Sequence, residues 1–131
     1  MYTIAMRKVI GLDFDDVLMD FHNSLHPYCN PKYNTNLTRE ELTHYRLNEF
    51  WQCTPEEMER RVVDFYHSEA HQNAKPVLGA QDAVKKLSEN NSLIIITSRP
   101  LFIKERTLEW LGRHYGNIFE RVYFANLFAG S

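Results

Sequence analysis

The chain has 131 residues, enough for one domain with a sizeable core. Hydrophobic residues make up 44% and charged residues 24%, the net charge is −2 and there is no long basic run; this points away from nucleic acid and from an anionic membrane surface as partners. No apolar stretch approaches the length of a membrane span. The short run after Arg7 and Lys8 is no signal peptide, and Cys29 and Cys53 form no disulfide framework, so a reducing, cytoplasmic setting is expected.

The first element is Val9-Ile10-Gly11-Leu12-Asp13-Phe14-Asp15-Asp16-Val17-Leu18. Its apolar start reads as a buried strand, about Lys8 to Phe14, that ends in carboxylates. Open α/β sheets bind ligands beyond the carboxyl ends of their strands, so Asp13 and Asp15 stand where chemistry is done. At i and i+2 in a strand they share one face. Two carboxylates on one face repel unless a cation or a shared proton compensates, and Mg²⁺ is the simplest remedy. Asp16 falls where the chain must turn, which Asp tolerates better than most residues.

Residues 19–75 read as a small helical insertion. Asn30-Pro31-Lys32-Tyr33-Asn34-Thr35-Asn36 is a loop by its Asn and Pro content. Thr38-Arg39-Glu40-Glu41 and Thr54-Pro55-Glu56-Glu57 read as capping boxes, each opening a helix, the second with Met58, Val62, Phe65 and Tyr66 on one side. Phe21 and Trp51 are candidates for an aromatic wall that stacks on a base, or else belong to the core of the insertion; Phe50 reads as core. His22 and His26, and His67 and His71, are i, i+4 pairs. Zinc needs three or four ligands, and beyond Cys29 no further ligand joins the first pair, so packed or solvated histidines are the favoured reading.

After the insertion, Ala80 to Glu89 has Ala80, Ala83, Val84 and Leu87 at helical spacing. Leu93-Ile94-Ile95-Ile96-Thr97-Ser98-Arg99-Pro100 reads as a second strand and its exit. Leu101 to Tyr115 reads as a helix with Ile103, Thr107, Leu108, Leu111 and Tyr115 inward, and Pro100 suits its start. A third strand comes next, about Arg121 to Ala125. The alternation argues for an α/β fold with a parallel, doubly wound sheet. The domain reading is a core of residues 1–18 and 76–131 with a cap of 19–75.

The first run resembles motif one of the haloacid dehalogenase (HAD) superfamily, the DxDx(T/V) phosphotransferases, and Leu93 to Pro100 resembles its second motif, an apolar strand ending in Thr or Ser. The Asp-Phe-Asp-Asp-Val-Leu form looks most like the 5′-nucleotidase group, which includes the cytosolic and mitochondrial deoxyribonucleotidases. Pro76-Val77-Leu78-Gly79-Ala80, Thr107-Leu108-Glu109-Trp110-Leu111 and Arg121-Val122-Tyr123-Phe124-Ala125-Asn126 fit the same group. The resemblance spans roughly residues 8 to 128 and implies a Rossmann-like HAD core with a helical cap inserted after strand one. It implies a Mg²⁺-dependent phosphomonoester hydrolase. Asp13 is then the nucleophile and Asp15 the acid and base. Thr97 and Ser98 offer hydroxyls to a phosphoryl group, and backbone N–H groups after Asp13 add to the cradle. The metal is held by the Asp13 carboxylate and the Asp15 carbonyl. Arg99 is a candidate for bidentate phosphate contact, with carbonyl capping or solvent as its alternatives. Lys104 reads as a surface helix residue.

The expected substrate is a small phosphomonoester, a nucleoside 5′-monophosphate by resemblance, with another phosphorylated metabolite as the nearest alternative. The resemblance also implies a third-motif Lys and an acidic fourth motif, which the six residues Asn126 to Ser131 do not supply. The expectation from this is an incomplete sheet with an open strand edge. The alternatives are a catalytically silent fragment or a homo-oligomer that repairs the edge.

Overall fold

The structure is a computed structural model and describes residues 7–42 and 46–125. The tail Asn126 to Ser131, on which the expected truncation rests, lies outside the described residues. The chain divides into two compact units, one of residues up to Met19 and from Pro76 onward, the other Asp20–Lys75.

The first unit is a three-stranded parallel sheet in the order β1 (Lys8–Leu12), β2 (Asn91–Thr97), β3 (Phe119–Phe124). The register pairs Leu12 with Ile95 and Thr97 with Phe124, with one irregularity at Leu93/Ile94. Before β2 comes α5 (Ala80–Ser88), and before β3 comes α6 (Lys104–Tyr115), entered through a 3₁₀ turn at Leu101–Ile103. The strands form for the expected reason: β-branched and aliphatic runs too short for helices. Burial alternates along β2, however. Leu93, Ile95 and Thr97 are buried, while Ile96 is half exposed. Both crossovers step the same way across the sheet, and right-handed crossovers in one direction put their helices on one face. Among the described residues the sheet is therefore covered on one side, not doubly wound. Val9, Ile96 and Tyr123 are exposed accordingly.

Helix α6 buries Thr107, Trp110, Leu111 and Tyr115, with Trp110 in place of the expected Leu108, which turns outward. On α5 only Val84 of the expected apolar face is buried. β1 ends at Leu12, earlier than expected, because the chain turns sharply from Phe14 to Met19. The Phe14 carbonyl accepts from the N–H groups of Val17, Leu18 and Met19, and Asp16 N–H donates to the Met19 carbonyl at 2.7 Å. Asp16 has φ 60°, the left-handed backbone that suits its short polar side chain. Two anchors fix the turn from outside. Phe14 is fully buried edge-on against Trp110, with ring centroids 5.4 Å apart. The Leu18 carbonyl accepts from Val77 N–H at 2.9 Å and from Tyr115 Oη at 2.8 Å.

The second unit is helical: α1 (His22–Tyr33), α2 (Leu47–Phe50), α3 (Pro55–Tyr66) and α4 (Glu69–Gln72). Its ends meet where Asp20 N–H donates to the Lys75 carbonyl at 2.8 Å. The expected loop at Asn30 to Asn36 is only half a loop, since α1 continues to Tyr33 despite Pro27 and Pro31. Each proline removes one helical donor. Burial of Leu25, His26 and Cys29 holds the helix nonetheless, and Asn34 closes it with φ 54°. The Asn30 side chain then organises the loop after α1, accepting from Thr35 Oγ1 and Leu37 N–H and donating to the Leu37 carbonyl. Thr54 caps α3 as expected, accepting from Glu57 N–H, but Glu57 pairs with Arg60 and Arg61 instead of closing a box. Thr38 opens only a 3₁₀ turn at Arg39–Glu41, and its hydroxyl donates to the Glu41 side chain. Phe65 is the hub of the core, edge-on to Phe21 and His71.

Two outcomes test this packing. Tyr115→Phe removes one of two bonds to the Leu18 carbonyl, so urea unfolding should show a loss of about 1 kcal/mol, with Val77 still satisfying that oxygen. Burial pushes the Cys29 thiol up to about 11. At pH 8 a thiol reagent should therefore label half-exposed Cys53 in the native protein and reach Cys29 only on unfolding.

Candidate active site

The expected site residues divide between the two units. Asp13, Asp15, Thr97, Ser98 and Arg99 lie in the sheet unit, and Phe21 and Trp51 in the helical one. β1 and β2 are hydrogen-bonded parallel neighbours, so Asp13 and Thr97 emerge at the same, carboxyl end of the sheet. Asp13 is exposed, and its Oδ1 accepts from Phe14 N–H at 2.7 Å. Thr97 is buried. Its Oγ1 accepts from Arg99 N–H at 3.1 Å, which leaves the hydroxyl proton to be donated elsewhere. Ser98 comes next, half-exposed.

Asp15 is held differently from Asp13. Arg99 Nη2 donates to its Oδ1 at 2.7 Å and Nε to its Oδ2 at 3.1 Å. The Arg99 side chain is wholly buried and that of Asp15 is 26% exposed. Nη1 of Arg99 donates to Thr107 Oγ1 at 2.9 Å, Nη2 also reaches Met19 Sδ, and the guanidinium carbon stands 4.2 Å from the centre of the Phe14 ring. Arg99 is therefore no exposed phosphate ligand, since all three of its nitrogens are engaged inside the unit. The charge expected to compensate the carboxylate pair comes, for Asp15, from this arginine. Nothing in the linear pattern placed residue 99 against residue 15; its one signal was a lone cation directly after a strand end.

The donor set can be weighed against Mg²⁺. That ion takes oxygen ligands, often one or two carboxylates completed by water and substrate phosphate. Asp13 offers an exposed carboxylate. The carbonyls used inside the turn are those of Phe14 and Met19, so the Asp15 carbonyl is not consumed there. Hard oxygen donors of this kind fit the ion. Among the described residues no group of three or more His, Cys, Asp or Glu is placed to hold a metal ion. His26 and His71 are buried among aromatic rings instead.

Phe21 and Trp51 are both buried. Phe21 packs edge-on against Phe65, and Trp51 lies against His26 with the Arg61 guanidinium 5.4 Å from its ring centre. Neither offers the open face that stacking on a base requires, so both are core residues of the helical unit. A cleft of about 330 Å³ in that unit, lined by His22, His26, Asn30, Thr38 and Arg39 among others, went unforeseen because it depends on how Asn30 folds the loop after α1. No helix among the described residues is long and apolar enough to cross a membrane.

Comparison with known proteins adds the family and the fold. The family described as "5' nucleotidase, deoxy (Pyrimidine), cytosolic type C protein" matches residues 7–125. The chain is similar to "Putative nucleotidase BH1399" of Halalkalibacterium halodurans, 29% identical over 108 residues that cover 82% of this chain and 54% of that protein. It spans about half the length of the curated relatives it matches. In structure it is similar to the haloacid dehalogenase-like hydrolase SP0104 of Streptococcus pneumoniae, with TM-score 0.64 and 16% identity, covering 91% of this chain and 61% of that one. It is also similar to YfnB of Bacillus subtilis, a HAD-hydrolase by assignment whose structure is bound to magnesium, with TM-score 0.57 and 16% identity, covering 93% of this chain and 66% of that one. With nearly its whole length matched, the chain belongs to the cytosolic type C 5′-nucleotidase family, and it shares the α/β fold of these neighbours.

Proposed function

We propose that this protein is a Mg²⁺-dependent phosphomonoester hydrolase acting on a nucleoside 5′-monophosphate through an aspartyl-phosphate. The observation that carries the reading is the contrast between the two carboxylates at the sheet's carboxyl end. Asp13 is exposed and free to attack, whereas Asp15 is held by a buried guanidinium. Family membership supports the nucleotide, and oxygen donors on Asp13 and Asp15 support the metal.

In the first step an Asp13 carboxylate oxygen forms a bond to phosphorus while the bond from phosphorus to the leaving oxygen breaks. Asp15 gives its proton to that oxygen. The Thr97 hydroxyl donates to a phosphoryl oxygen, with Ser98 as a second donor and backbone N–H groups beyond Asp13 completing the cradle. In the second step Asp15 takes a proton from water as the water oxygen attacks phosphorus, and the Asp13–phosphorus bond breaks to release inorganic phosphate. The Asp13 carboxylate and the Asp15 carbonyl would hold Mg²⁺, which would supply charge neutralisation between the two anionic partners. Residues 19–75 serve as the cap, and residues 1–18 and 76–131 as the catalytic core.

The test is release of inorganic phosphate from a panel of nucleoside monophosphates, sugar phosphates and an aryl phosphate, with and without Mg²⁺, for the wild type and Asp13→Asn. Turnover that needs Mg²⁺, prefers nucleotides and falls to background in Asp13→Asn is expected. Preference for a sugar phosphate would move the substrate to another metabolite. Absence of turnover in a folded protein would sink the enzymatic reading.

A further inference from the structure

A guanidinium with no exposed surface is costly to bury unless every donor is matched, and Arg99 has its matches from three directions. Asp15 and Met19 come from the turn after β1, Thr107 comes from α6, and the Phe14 ring lies 4.2 Å from its carbon. Its own N–H is fixed on Thr97 Oγ1. The side chain is thus immobilised before it meets Asp15, and it meets both carboxylate oxygens with two nearly parallel donors. A fork of that shape sets the plane of a carboxylate as well as its position. Two of the four lone-pair directions on Asp15 are thereby occupied, and the side chain keeps 26% of its exposure.

We propose that Arg99 is a positioning residue for Asp15: its bidentate grip, braced by Thr107, keeps the Asp15 carboxyl group oriented toward the leaving oxygen through both proton transfers. The inference rests on the proposed hydrolase reading and deepens it. Arg99 touches no reacting atom. It acts through Asp15, and Thr107 acts through Arg99. A lysine cannot replace it, because one ammonium donates from a single point and leaves the carboxylate free to rotate.

A pair that merely holds the fold together predicts lower stability and equal losses on all substrates. A positioning role predicts losses that depend on the leaving group. A nucleoside monophosphate expels a poor alkoxide that needs the proton, whereas p-nitrophenyl phosphate expels a phenolate that hardly does. The experiment measures kcat and KM on both substrates for wild type, Arg99→Lys, Thr107→Val, Asp15→Asn and the double variant Arg99→Lys/Asp15→Asn, with circular dichroism to confirm folding. Arg99→Lys is expected to lower kcat on the nucleotide by about 10²-fold, with KM little changed, and on p-nitrophenyl phosphate by no more than about threefold. Thr107→Val, which keeps the ion pair and removes only its brace, should show the same selectivity to a smaller degree and covers the case in which Arg99→Lys does not fold. Adding Arg99→Lys to Asp15→Asn should cost nothing further, since the two residues act as one unit. Equal losses on both substrates, or additive losses in the double variant, would overturn the positioning role while leaving the hydrolase reading intact. A wild type inactive on both substrates would bring down that reading and this inference together.

Discussion

The ion pair between Arg99 and Asp15 is the constraint on which the carboxyl end of the sheet depends. The Arg99 guanidinium has no exposed surface, so removing the carboxylate that matches it leaves a buried charge alone, at a cost of about 3–5 kcal/mol, a large share of the stability of a domain this size. The pair joins the turn after β1 to the exit of β2, and Thr107 braces it from the first half of α6. The turn after β1 is far from the other two in sequence, residues 15 and 99 being 84 apart, whereas Arg99 and Thr107 are 8 apart. Local structure at the site is therefore a consequence of tertiary closure. The sharp turn from Phe14 to Met19 is held by Phe14 against Trp110, by Leu18 against Tyr115 and by Met19 against Arg99.

That constraint also separates two carboxylates that are chemically identical and two residues apart. Asp13 keeps one backbone N–H bond and stands exposed. Asp15 is gripped from behind. Where environments differ this much, roles differ too, as nucleophile and proton carrier must in the proposed reaction. Repulsion between the two is relieved on one side by a fixed cation of the protein. A divalent ion would then have to be held mainly by Asp13 and by backbone oxygen, and not shared evenly between both side chains.

The range of each interaction decides how much of this was legible in sequence. β1, β2 and the position of Asp13 and Thr97 at strand ends were readable because short aliphatic runs bounded by polar residues have few other solutions. Cap Thr54 was readable because its partner lies three residues away. What failed was long-range or local but overridden. The partner of Arg99 could not be found from a neighbourhood of residues. The end of α1 was misread because two prolines speak for a loop, while burial of Leu25, His26 and Cys29 outweighs their missing donors. Phe21 and Trp51 are aromatic in any reading, and only packing decides between an open wall and a closed core. Coverage of the sheet on one face was equally out of reach, since the direction in which successive crossovers step is a property of topology.

The same logic bears on why the fold tolerates an arginine where a phosphate ligand was expected. A strand end that opens toward an anion invites a cation, and an exposed arginine there would compete for substrate with Thr97 and the backbone donors of the turn. Drawing the guanidinium inward converts a ligand of uncertain reach into a wall of fixed geometry. Thr97 contributes to this, since its hydroxyl oxygen accepts the Arg99 N–H while its own proton is left for another acceptor. In the proposed reaction one threonine at the end of β2 would link the phosphate cradle to the support of Asp15. Loss of its hydroxyl should accordingly disturb phosphate binding and proton transfer together, a joint effect that loss of a phosphate ligand or of a positioning residue would not produce alone.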